Sequence, residues 1–145
     1  MHAPLAGEMS GHIFFADEYL GYDDALYAAC RFARLVGAQS RPLTQLVDEL
    51  PHYYATPETR VECPEGEKFR IVEEMATYFG KHYDVIDIDG VRIQFGNGWG
   101  LVRASNTQPV LVFRFEAQSP EALKEIQRTV LGKLTEVAPE IEVPG

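Results

Sequence analysis

From Glu58 onward the spacing of hydrophobic and polar positions changes several times, and each change marks an element. Arg60-Val-Glu-Cys63 alternates as a short strand. Between Gly66 and about Lys81, Phe69, Val72, Met75, Ala76 and Phe79 recur at helical spacing, which predicts a helix with one buried face. Tyr83 to Ile88 and Val91-Arg-Ile-Gln-Phe95 are apolar runs separated by Asp89-Gly90, a dipeptide suited to a tight hairpin turn. Gly96-Asn97-Gly98 predicts a further turn, Leu101-Val102 a strand, and Val110-Leu-Val-Phe-Arg-Phe115 its continuation after a polar break. Ser119-Pro120 opens a last helix ending near Val137, with Leu123, Ile126, Val130, Leu134 and Val137 as its apolar stripe. The order β-α-β-β-β-β-α predicts an α+β domain, one small antiparallel sheet covered by two helices.

The earlier part of the chain follows a different pattern. Gly7-Glu-Met-Ser-Gly-His12 is a polar loop, and Ile13-Phe-Phe15 a short apolar strand. Asp23-Asp24 caps a helix running to about Val36, whose stripe is Leu26, Ala29, Cys30, Ala33 and Val36, with Cys30 expected in the core. Gly37 to Arg41 breaks that helix. Pro42 begins a shorter one with Leu43, Leu46, Val47 and Leu50 inward, and Pro51 ends it. His52 to Pro57 reads as a linker, since the proline favours extended backbone before it. The expected organisation is residues 1–51 as the closing loop, strand and helices of a domain whose beginning is absent, 52–57 as linker or hinge, and 58–145 as the α+β domain.

Composition narrows the function classes. At 145 residues, 46% hydrophobic and 24% charged, the chain suits a globular protein of one domain, or one domain plus a remnant. A net charge of −9 argues against a nucleic-acid partner, because a phosphate backbone needs a basic face. Cys30 and Cys63 stand alone without C-x-x-C spacing, and the first seven residues lack the basic and apolar regions of a signal peptide. The apolar runs are too short to cross a bilayer. The expectation is a cytoplasmic chain with reduced thiols and no membrane partner. Asp84, Asp87 and Asp89 lack the terminal glutamate of an EF-hand loop, and the four histidines are scattered, so no metal is expected here. Gly96-Asn-Gly-Trp-Gly100 fails the dinucleotide pattern at Leu101, and Trp99 is expected to pack beside the following loop.

That loop holds the most pointed chemistry. In Leu-Val-Arg103-Ala-Ser105-Asn106-Thr107-Gln-Pro109 an arginine and three short polar side chains fall at a break between two strands. Arginine offers a planar fork of donors, and backbone amides of such a turn can converge on an anion. Charge-assisted hydrogen bonds contribute about 1.5–3 kcal/mol each, so a few could hold a phosphate monoester. By residue type alone, the segment reads first as an ordinary hairpin loop with a solvated arginine, since Ser, Asn and Thr are common turn residues.

Gly98-Trp-Gly-Leu-Val-Arg-Ala-Ser-Asn-Thr-Gln-Pro109, followed by its strand and Arg114-Phe-Glu-Ala117, resembles the phosphate-binding loop in the C-terminal domain of the α-D-phosphohexomutases, in the bacterial phosphomannomutase/phosphoglucomutase branch. Gly7-Glu-Met-Ser-Gly-His12 resembles the sugar-binding loop of that family's third domain. The resemblance covers nearly the whole chain. It implies a fourth domain of TATA-binding-protein-like type, preceded by the end of an α/β third domain. By the same resemblance, Arg103, Ser105, Asn106 and Thr107 would hold the non-transferring phosphate. Glu8, Ser10 and His12 would contact the sugar. Gln108 departs from the glutamate that many relatives carry.

The family's phosphoserine motif, Ser-His-Asn-Pro-like, and its magnesium loop, Asp-Gly-Asp-Gly-Asp-like, occur nowhere in the sequence. The resemblance therefore implies a parent enzyme that interconverts hexose 1-phosphate and hexose 6-phosphate through a bisphosphorylated sugar, with Mg2+ held by a missing domain. The implied partners are glucose and mannose 1- and 6-phosphates and the missing domains 1–3. The chain alone is expected to be inactive, with no cofactor of its own. The alternative is a stand-alone, non-catalytic phosphosugar-binding or interaction module. Domain anatomy favours the portion of a larger enzyme, since the third-domain pattern starts mid-domain.

Overall fold

The computed structural model describes residues 3–8 and 10–142, so Met9 of the first loop lies outside the described residues. The chain divides into two compact units, Met1–Pro51 and His52–Gly145.

In the first unit, β1 (Leu5–Gly7) and β2 (Ile13–Phe15) form an antiparallel hairpin with Leu5 opposite Phe15 and Gly7 opposite Ile13. Strand β1 was not expected, because Leu-Ala-Gly carries no β-branched or aromatic residue to signal it. The polar loop is therefore the tip of a hairpin. Helix α1 (Ala25–Gly37) starts where Asp24 accepts hydrogen bonds from the Leu26 and Tyr27 amides, both at 3.0 Å. A short α2 (Leu43–Asp48) follows.

The side of α1 that makes contacts is not its apolar stripe. Tyr19 stacks on Tyr27 at 3.8 Å between centroids. The Arg31 guanidinium lies 4.6 Å over the Phe15 ring and donates to Asp17 at 2.7 Å. Cys30, expected in the core, is exposed, as are Leu26, Ala29 and Ala33. Two three-residue strands offer too little surface to cover a second helix face, so the stripe stays uncovered within this unit.

The second unit is a six-stranded sheet in the order β3-β8-β7-β6-β5, with β4 also paired to β8. Its elements are β3 (Tyr54–Ala55), β4 (Thr59–Glu62), α3 (Lys68–Phe79), β5 (Asp84–Ile86), β6 (Val91–Phe95), β7 (Gly98–Ala104), β8 (Val110–Ala117) and α4 (Pro120–Val137). Every pairing is antiparallel. One edge of β8 is paired with β7 along its length, and the other is shared by β4 and β3. Of the segment expected as linker, Tyr54 and Ala55 are thus paired with Ala117 and Glu116, and Thr56 donates its amide to Phe115 O at 2.9 Å. The α+β architecture is the one the periodicities predict.

Alternation sorts the sheet. Val61, Val91, Ile93, Val102, Ala104, Leu111, Phe113, Phe115 and Ala117 face the helices and are buried. From α4, Ala122, Ile126, Val130 and Leu134 complete the core, and Ser119 caps that helix by accepting from Ala122 N at 3.1 Å. Leu123 and Val137 sit at the rim, half-buried. Helix α3 differs from expectation. Its buried line is Lys68, Ile71, Met75 and Phe79, at spacings of three and four, whereas Phe69 lies one position off it and is exposed. A lysine in the line displaced the sequence reading towards the neighbouring aromatic.

Trp99 also differs from expectation. It lies at the start of β7, opposite Gln94 and Glu116, with its indole N–H donating to Glu116 at 3.2 Å and the Arg92 guanidinium 4.3 Å over its ring. Four residues of strand, about 13 Å, separate it from Arg103. It packs at the far end of the strand from the loop.

Candidate functional site

The Ser105–Pro109 loop forms the tip between β7 and β8, closed by Ser105 N donating to Val110 O at 3.0 Å. Arg103 is the penultimate residue of β7 and alternates away from the buried Val102 and Ala104, onto the sheet face opposite the helices. Its Nη1 pairs with Asp89 at 3.3 Å. Asp89 belongs to the hairpin turn that Gly90 completes at φ +85°. A Cβ on Gly90 would lie 2.5 Å from Val102 O and 2.8 Å from Arg103 Cα, so this close approach requires glycine. One turn thus fixes both the backbone and the counter-ion of Arg103.

Within the loop the backbone amides are largely spoken for. The Ser105 hydroxyl accepts from Thr107 N at 3.3 Å and Gln108 N at 3.2 Å. The expected convergence of several amides on an anion is therefore not what this loop presents. Among the described hydrogen bonds, Asn106 N and the side chains of Asn106 and Thr107 take no part, and both residues are exposed. The structure thus places Arg103, Ser105, Asn106 and Thr107 at one tip, with three of the four side chains accessible or weakly paired. Gln108 turns aside to accept from Arg60 Nη1 at 3.0 Å.

Two recesses flank the loop. One is lined by Phe69, Val72, Glu73, Asp89, Ala104 and Asn106. The wider groove is bordered by Arg60, Glu62, Cys63, Gln108, Glu140 and Glu142, three carboxylates that disfavour a dianion there.

The first loop also brings its three residues together. Ser10 Oγ donates to Glu8 Oε2 at 3.0 Å and shares a 2.6 Å hydrogen bond with His12 Nδ1. Gly11, at φ +90°, makes the turn that folds His12 back over Glu8. His12 Nε2 lies 3.7 Å from Asp23. The sequence marks Asp23 only as part of a helix cap. Its β-bridge to Phe14 places it here instead, a long-range pairing that spacing does not reveal. Lys68, whose ammonium donates to Ser105 O and Gln108 O of the 105–108 loop, carries no signal of that contact in the sequence.

These two loops sit in regions that comparison with known proteins matches separately. The family model described as phosphoglucomutase/phosphomannomutase, C-terminal domain, matches residues 58–133. That described as phosphoglucomutase/phosphomannomutase, alpha/beta/alpha domain III, matches residues 1–54. A phosphomannomutase/phosphoglucomutase from Pseudomonas syringae pv. tomato is 42% identical over 98% of this chain and 31% of its own length. A phosphoglucomutase from Neisseria gonorrhoeae is 44% identical over 86% of this chain and 28% of its own length. Among solved structures, a phosphoglucomutase/phosphomannomutase family protein from Burkholderia thailandensis superimposes with a TM-score of 0.84 at 37% identity, covering 99% of this chain and 30% of that one. The fold is that of the C-terminal part of a phosphohexomutase, and both loops lie inside the matched ranges. The chain belongs to the phosphoglucomutase/phosphomannomutase family. It spans about a third of the length of the curated relatives it matches. Among the described residues no helix is long and apolar enough to cross a membrane.

Proposed function

We propose that this chain is the C-terminal substrate-binding portion of a phosphomannomutase/phosphoglucomutase, whose parent interconverts hexose 1-phosphate and hexose 6-phosphate through a bisphosphorylated sugar. The Ser105–Pro109 tip holds the phosphate that is not being transferred. Glu8, Ser10 and His12 engage ring hydroxyls, the carboxylate accepting and the hydroxyl and imidazole able to donate or accept. The observation that carries the reading is Arg103 beside accessible Asn106 and Thr107, restrained only by an exposed carboxylate.

An exposed ion pair is worth at most about 1 kcal/mol, whereas hydrogen bonds to a charged phosphate contribute about 1.5–3 kcal/mol each. A phosphate dianion can therefore displace Asp89 from Arg103 at a net gain. Ser105, Asn106 and Thr107 then supply neutral donors that fix its orientation. Holding one end of the substrate positions the other for phosphoryl transfer, and positioning is the contribution such a clamp can make. The second unit closes over substrate by rotation about the 52–57 linker, a reading supported by the division of the chain between Pro51 and His52. The magnesium ion implied for the parent has no ligand set here: among the described residues, no three or more His, Cys, Asp or Glu side chains cluster to hold a metal.

Arg103→Ala in the full-length parent tests the reading. Loss of about 1.5–3 kcal/mol predicts a kcat/KM for glucose 1-phosphate lower by roughly 10- to 150-fold. Unchanged kinetics would overturn the assignment.

A further inference from the structure

The molecule's one buried charged side chain among the described residues is Lys68, and it is bonded to the loop proposed to hold phosphate. Lys68 opens α3, and its side chain is only 1% exposed. The ammonium donates to Ser105 O at 2.6 Å and Gln108 O at 3.2 Å, and lies 2.6 Å from Glu65 Oε1. Three N–H donors thus meet three oxygens, two of them main-chain carbonyls at opposite ends of the same tight loop.

The consequence for the loop follows from peptide geometry. No cis peptide occurs among the described residues, so the Ser105 carbonyl and the Asn106 N–H of one planar unit point in opposite directions. With Ser105 O drawn inward onto Lys68, Asn106 N–H is turned away from the core, and it is the amide of this loop that no described hydrogen bond uses. Gln108 O, held by the same ammonium, also accepts from Val110 N at 2.9 Å, which pins the loop's return into β8. A burial this complete, spent on two loop carbonyls, is more than α3 needs to pack, because Ile71, Met75 and Phe79 already fill its core face.

We propose that Lys68 is the positioning residue of the phosphate loop: from beneath, it sets the Ser105–Gln108 backbone so that Asn106 N–H and the Asn106 and Thr107 side chains face the anion. The assignment rests on the phosphate reading of that loop. Lys68 acts through the loop and does not itself touch substrate. Without it, Ser105 O loses its donor while Gln108 O keeps only Val110 N, and the Ser105 carbonyl must turn to reach water, reversing the Asn106 amide.

The test uses the full 145-residue chain, isotope-labelled, titrated with inorganic phosphate and with glucose 1-phosphate. The wild type is expected to give saturable shifts at residues 103–107, with Asn106 N–H among the largest. Lys68→Met should weaken binding at least tenfold and abolish the Asn106 response. Lys68→Arg, which retains donors for both carbonyls, should recover part of each. Arg103→Ala should lose affinity while the free-state Asn106 amide signal stays in place, which separates loop geometry from phosphate contact. Should Lys68→Met fail to give a dispersed spectrum, Lys68→Arg carries the test alone, with an Asn106 response reduced but present. Lysine variants that bind within twofold of wild type, Asn106 shift included, would overturn the role of Lys68. A wild type that binds neither ligand would overturn the phosphate reading, and this role with it.

Discussion

Gly90→Ala links the stability of the sheet to the placement of Arg103. At φ +85° an alanine enters a left-handed conformation that costs about 1–2 kcal/mol for an L-residue. Its Cβ would stand 2.5 Å from Val102 O, 2.8 Å from Arg103 Cα and 2.9 Å from Arg103 Cβ. Two of these atoms are backbone of the central strand β7, which is paired on both sides and cannot rotate away. Relieving such an overlap costs about 1–3 kcal/mol, for a combined loss of about 2–4 kcal/mol. Trp99 is the only tryptophan in the sequence and lies on β7, so its fluorescence reports urea unfolding of the second unit. With a urea slope of about 1.5 kcal/mol per molar, the midpoint should fall by roughly 1–3 M. Gly96→Ala is the control: no atom lies within 4 Å of a Cβ built there and its φ is not positive, so its effect should stay within about 0.5 kcal/mol. Equal midpoints for the two variants would refute the close packing of the Asp89-Gly90 turn on Arg103.

The two cysteines should differ in reactivity, since Cys30 is exposed, while Cys63 is buried and that burial pushes its thiol up. A thiol-labelling time course read by peptide mass should modify Cys30 promptly and Cys63 only in denaturant; prompt labelling of Cys63 would contradict its place in the core. At the start of α1, the Tyr27 amide and then the Tyr19 hydroxyl hold the Asp24 carboxyl below its ordinary value against desolvation, with the Leu26 amide adding a smaller effect in the same direction. A depressed folded value means the capping contribution is full above the unfolded pKa of about 3.9 and is lost as pH falls through the lower folded one. Amide signals of residues 25–28 should therefore broaden only below about pH 4, and Asp24→Asn, which keeps a capping oxygen, should remove that acid dependence. A carboxyl titration midpoint for Asp24 at or above the free value would refute the cap.

Local signals determined much of this protein. Period-two and period-3.6 patterns located α4, β6 and β8 almost to the residue, because a strand or helix with one buried face must repeat at its own geometry, and the Asp24 cap marked the start of α1. Asp89-Gly90 and Ser119-Pro120 marked their turn and cap by backbone preference alone. The two loops were legible as motifs because Arg103 to Thr107 and Glu8 to His12 are each contiguous. Tertiary structure decided whatever depended on partners distant in sequence. Lys68 looks like a surface residue until Ser105 and Gln108 supply carbonyls 37 and 40 positions away. Asp89 becomes the counter-ion of Arg103 only through the pairing of β6 with β7, and Asp23 reaches His12 only through its bridge to Phe14. Cys30 shows the converse: an apolar stripe states which face seeks cover, but the neighbouring surface decides whether the cover is there. Periodicity records the demand each segment places on its surroundings, and only the assembled chain shows which group meets it.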